Sequence, residues 1–164
     1  MSEEPRSQAL WLLVIIHLSG QVDGITRLQK LAFLTNEIVP MEQHGFYSDW
    51  KSGKYGPFSP SMADDIDLLL RQGLIEKQTV ESAAGYTLDS FRATPKGQSR
   101  VEGMRKQYPK QVEMIQKSVV QKYARAPLMS LLHDTYFRAP QYTTQSEIAG
   151  EIFDLGKRRA SPDP

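Results

Sequence analysis

Ser61-Met-Ala-Asp-Asp-Ile-Asp-Leu-Leu-Leu-Arg-Gln-Gly-Leu-Ile-Glu-Lys-Gln-Thr-Val80, followed after a short loop by Tyr86-Thr-Leu-Asp-Ser-Phe-Arg-Ala93, is the stretch that decides the fold. Met62, Ile66, Leu69 and Leu70 share one helical face. Ser59 or Ser61 offers a start, Pro60 sits near the first turn, and Gly73 stops the helix. Leu74–Val80 then alternates as a strand, residues 81–85 form a loop, and Tyr86–Ala93 runs back as a second strand. A helix closed by glycine and followed at once by a two-stranded ribbon is the second half of a winged helix-turn-helix.

The residues upstream supply the first half. Ser7–Leu18 is apolar nearly all round, with Trp11, Leu12, Ile15 and Ile16 beside Leu10, Leu13 and Val14, so it reads as a buried helix with Ser7 as its cap and Gly20 as its stop. After the turn Gly20–Gly24, Leu28, Leu31, Ala32 and Thr35 repeat at i, i+3, i+4, i+7 behind Thr26 as cap, and Pro40 ends that helix. The aromatic stretch Phe46–Pro60, punctuated by Gly53, Gly56, Pro57 and Pro60, is expected to be a short extended segment with a turn. Within it, Gly56, Pro57 and Ser59 read as architecture rather than chemistry.

Downstream, Thr94 caps a helix with Pro95 at its first position. Val101, Met104, Tyr108, Val112, Ile115, Val119 and Tyr123 then form an apolar stripe interrupted at Pro109, where a kink or a fresh helix start is expected. That stripe is longer than the domain needs for its own core, so pairing into a homodimer is expected along it. Leu128–Phe137 and Thr144–Leu155 read as two further helices and Lys157–Pro164 as a disordered tail. The expected class is mainly α with a small β-ribbon. A winged helix-turn-helix core covers residues 6–98, a packed or dimerising helical extension 99–156, and the tail 157–164.

Composition narrows the function. With 164 residues, 40% of them hydrophobic and 24% charged, the chain is an ordinary globular one. It has no cysteine, which excludes disulfides, thiolate metal sites and cysteine nucleophiles. The longest apolar run, Ala9–Ile16, is far short of the ~20 residues of a membrane span. It follows Glu3 and Glu4 instead of basic residues, so neither membrane insertion nor a signal peptide is expected and the default address is cytoplasmic. The net charge of +1 hides a dipole, −5 over residues 1–91 and +6 over 92–164. Arg92–Arg125 alone holds nine cations against Glu102 and Glu113. Such asymmetry suits a polyanion-binding surface, or two halves attracting each other within or between chains.

The residues also resemble a family. Gly24-Ile-Thr-Arg-Leu-Gln-Lys-Leu-Ala-Phe33, Tyr55-Gly-Pro-Phe-Ser59, Asp65-Ile-Asp-Leu-Leu69 and Gly73-Leu-Ile-Glu76 resemble the prokaryotic YwgA-like winged-helix proteins. A looser likeness extends to the SocA/Panacea antitoxin domains, with their "LQKL…YGP" signature. Leu131–Ser146 resembles the later helix, turn and Thr/Ser element of that family, with a longer turn. The resemblance implies a winged-helix fold first. It implies a DNA-binding regulator or antitoxin second.

Two sets of candidate residues follow. For nucleic acid, most naturally duplex DNA, they are Arg71, Lys77, Arg92, Lys96, Arg100, Arg105, Lys106 and Lys110, with Lys96/Arg100 and Lys106/Lys110 stacking as i,i+4 pairs on one face. The third helix opposes this reading, because it presents Asp64, Asp65 and Asp67 where a groove-reading helix needs donors. Those three aspartates become the partner-facing set if the chain is a protein-interaction module that has lost DNA reading. Arg27 and Lys30 are expected at a solvated helix edge, on phosphate, or paired with Asp64 or Asp65. For catalysis, Ser48-Asp-Trp-Lys51 spells S-x-x-K without its companion motifs. His17, His44 and His133 lack metal-ligand spacing. No enzyme activity, catalytic residue, metal or cofactor is expected.

Overall fold

The computed structural model describes residues 4–142 of the 164, so the expected helix at 144–155 and the tail at 157–164 lie outside the described residues. The described chain is mainly helical with a small antiparallel sheet. Its helices are α1 (Ser7–Ser19), α2 (Ile25–Ile38), α3 (Met62–Arg71), α4 (Pro95–Gln107), α5 (Pro109–Ile115), α6 (Gln121–Tyr123) and α7 (Leu128–Arg138). Strands β1 (Val22–Asp23), β4 (Ile75–Glu81) and β5 (Thr87–Ala93) make one sheet in the order β1-β5-β4, while β2 (Lys51–Gly53) and β3 (Gly56–Phe58) make a separate hairpin.

The ribbon expected after the third helix is present, in register from Ile75↔Ala93 to Glu81↔Thr87. The turn expected at Gly20–Gly24 also holds a strand. Val22 and Asp23 pair with Phe91 and Ser90, because Val22 is apolar and buried while the chain is extended between two glycines. The helix starts differ from expectation at two places. Ser7 and Thr26 lie inside α1 and α2, which begin without a side-chain cap; α3 begins directly after Ser61, one of the two expected starts, whose N–H is held by the Asp49 carboxylate at 3.0 Å. Thr94 does cap α4, its hydroxyl accepting from the Gly97 N–H at 3.1 Å.

α1 lies at the centre, with Trp11 through Ile16 all at most 1% exposed. It is covered by α3 and β5 and by α4 together with the single π turn Gln116–Val120 that joins α5 to α6. Pro109 opens α5 as a fresh start: Tyr108 leaves the helical region at φ −132°, ψ 59°, and its ring packs against Trp11 and His44. The stripe beyond Val101 is thereby turned inward. Val101, Met104, Val112, Ile115 and Val119 are buried in the same apolar cluster as α1, with Tyr108 and Tyr123 packed against it, so the stripe is not surplus to the chain's own core. The sequence made it look surplus because α1 hides how much surface it needs covered. No described helix is long and apolar enough to cross a membrane.

Candidate functional site

α2 separates two polar environments. On its inner side, Gln29 grips the main chain of Ser59 in both directions, accepting from its N–H at 2.8 Å and donating to its C=O at 3.1 Å. The next residue, Lys30, donates to the Pro57 C=O at 2.9 Å. Lys30 is 2% exposed, and burial pulls its ammonium down to about 8. Arg27 is half-buried with its guanidinium on the C=O of Ala126 at 2.7 Å, closing the end of α6, and burial lowers its pKa. The expectation of solvated helix edges, phosphate contacts or pairing with Asp64 or Asp65 therefore fails for both cations. Backbone carbonyls bind them instead.

Asp49 accepts from the Ser59 hydroxyl and the Ser61 N–H; burial works against its ionised form, but these hydrogen bonds outweigh it and its pKa falls. Asp65 is 1% exposed and takes the Tyr47 hydroxyl at 2.7 Å, Gln8 at 2.8 Å and Arg6 at 3.1 Å. Burial, reinforced by that carboxylate, raises the Tyr47 phenol above its ordinary value. Asp65 is thus corrected from a partner-facing residue to a core one, since it points back toward α1 and away from solvent. Asp64 and Asp67 stay exposed on α3.

Several of the basic candidates have partners within the chain, while Lys96 and Arg100 remain an i,i+4 pair on α4. Arg92 pairs with Glu76 across the ribbon, Arg100 with Glu4 at 3.6 Å and Arg105 with Glu102 at 3.3 Å. Lys96 donates to the Gln72 C=O at 2.8 Å, beyond the end of α3, and Arg71 also has a partner within the chain. Lys77, Lys106 and Lys110 are exposed and form no ion pair among the described residues. Lys106 and Lys110 fall on opposite sides of the break at Tyr108, so they are not the stacked i,i+4 pair expected of one straight helix.

A groove of about 1250 Å³ lies between the ribbon tip, the start of α2 and the start of α7. Five large hydrophobic side chains are exposed among the described residues: Ile25, Tyr55, Tyr86, Met129 and Phe137. The first four all line this groove. Glu81 and Asp89 stand on its ribbon side and Arg125 on its helical side, and none of the three has an ion-pair partner among the described residues. Leu88 leans over Gly24, where an added Cβ would lie 3.6 Å from it. No group of three His, Asp or Glu side chains that could hold a metal occurs among the described residues.

Sequence reasoning missed Gln29 and the groove. Gln29 sits between apolar helix positions, and its inward amide is a usable sign only beside a loop of unpaired backbone. Ile25, Tyr86 and Met129 belong to three separate elements, so no periodicity links them. No family model, curated protein or solved structure matches the chain.

Proposed function

We propose that the chain is a non-catalytic, cytoplasmic protein-interaction module of winged-helix architecture whose working surface is the groove beside the ribbon. The single observation that carries this is the concentration of exposed Ile25, Tyr55, Tyr86 and Met129 on one concave surface. A contiguous apolar patch on an otherwise polar exterior marks a contact site. The winged-helix part is supported by three helices before the ribbon and by β1, which lies between the first two helices and pairs with the ribbon's second strand. The resemblance to YwgA-like winged-helix proteins and the antitoxin-like domains points the same way.

A nucleic-acid role of the regulator or antitoxin type is the second reading, favoured by the unpaired Lys77, Lys106 and Lys110. Two measurements separate them. A photo-crosslinking residue at position 129 should trap a protein in cells expressing the full chain, while the same residue at position 106 should not. Mixed DNA and RNA duplexes should show no gel shift at low salt. A shift that weakens steeply with salt and disappears in Lys106→Glu/Lys110→Glu would reverse the order of the two readings.

A further inference from the structure

The phase of the ribbon's ladder fixes which backbone groups face the groove. At one end the Thr94 N–H bonds the Leu74 C=O at 3.1 Å, and at the other the Ser82 N–H bonds the Tyr86 C=O at 2.8 Å. Even-numbered residues of β5 therefore bond β4, and Thr87, Asp89 and Phe91 turn their amides to the opposite side. On that side Val22 pairs with Phe91, the Gly24 N–H takes the Asp89 C=O at 2.8 Å, and the chain then leaves into α2 at Ile25. The N–H and C=O of Thr87 are left facing the groove, with no strand beside them among the described residues.

Resting on the reading of this groove as a protein-binding surface, we infer that its occupant is an extended peptide segment of apolar–basic–apolar sequence, added as a short strand to the free edge of β5 at Thr87. An unpaired strand edge is a template for main-chain hydrogen bonds, and the side chains around it set the sequence taken. The residue that pairs beside Thr87 shares its face of the sheet. Glu81 lies directly across from Thr87, and Asp89 two residues along is on the same face. Both carboxylates are exposed and without an ion-pair partner among the described residues, so a Lys or Arg at that position meets two charges. The residues on either side turn to the face of Tyr86 and Leu88, where the partners are apolar.

The test begins with a phage-displayed library of random dodecapeptides selected against the full chain, and continues with synthetic copies of the enriched peptides. Enrichment of apolar–Lys/Arg–apolar sequences is expected. Thr87→Pro removes the N–H that faces the groove without removing a bond to β4, so its melting should be unchanged and its affinity for the peptide at least ten-fold lower. Thr87→Val should bind as the parent does. A peptide N-methylated on alternate amides, offered to the unaltered chain, should likewise lose ten-fold or more and needs no variant to fold. If Met129→Glu abolishes binding while Thr87→Pro and the methylated peptide bind normally, the groove reading stands and strand addition is overturned. If no peptide is enriched over a Met129→Glu chain, both fall. A doubled mass by light scattering that Met129→Glu returns to a monomer gives the groove to a second copy and also overturns the inference.

Discussion

The loop Tyr55–Ser59 and the ribbon tip Tyr86–Asp89 both flank α2, and their backbones end in opposite conditions. In the first, Gln29 and Lys30 reach out of the helix to hold the main chain at Ser59 and Pro57, and Asp49 holds the start of α3. In the second, the strand edge beyond β1 faces an open groove with large apolar side chains around it. Buried polar groups that find partners fix one conformation. Exposed apolar side chains next to a strand edge that no described residue occupies leave contacts for something else to make. The contrast separates what holds this fold from what is left over for binding.

The largest expected effect lies in the first region. Gly56 has φ +94°, and a Cβ there would stand 2.4 Å from Cε1 of Tyr136 on α7. Gly56→Val combines strain at positive φ with overpacking, so about 3 kcal/mol or more should be lost, seen as a fall in melting temperature of about 10 °C. An unchanged melt would show that the loop is not held as described.

Lys30→Met sharpens the comparison through pH. The Lys30 ammonium falls to about 8 in the folded chain from an ordinary value of 10.5, so between those values the unfolded chain holds more protons and parental stability rises with pH. Below about 8 both states are protonated and the buried charge carries its full penalty. Lys30→Met should therefore melt higher than the parent at pH 7, by the equivalent of about 1–2 kcal/mol once the lost bond to Pro57 is counted. That advantage should shrink as pH climbs toward 10. Equal melting curves across pH 7–10 would contradict the burial. The smallest effect belongs to the groove: Tyr86→Ser with Met129→Ser should alter stability by less than about 0.5 kcal/mol, since neither side chain is buried. A larger loss by chemical denaturation would make the groove part of the core.

Much of the secondary structure was legible because local chemistry decides it. The ribbon alternates with period two, Thr94 and Pro95 spell a helix start, and Pro109 marks a kink or a fresh start. Long-range partners were not legible. Arg27 and Lys30 look like any cations on an amphipathic helix until a loop 27 residues away brings the Pro57 carbonyl to Lys30. Asp65 looks like its neighbours Asp64 and Asp67, and only the packing of α1 against α3 turns it toward Tyr47 and Gln8. The basic cluster of the second half was legible as composition, but not which of its members Glu4, Glu76, Glu102 and the Gln72 carbonyl would pair with. Nothing in the order of residues announced the groove, whose walls come from three elements far apart in the chain.

α1 is sealed by elements from both ends of the chain, α3 and β5 before residue 94 and α4 and the π turn after it. A helix apolar on every side cannot stay dissolved if one of those covers is missing. A fragment ending at residue 98 would lose most of α4 and the π turn from the cover of α1 and should be less stable than the whole chain. Insertions between the two halves face the same constraint. Unfolding should be a single cooperative transition in which the ribbon-bearing portion and the helices behind it are lost together.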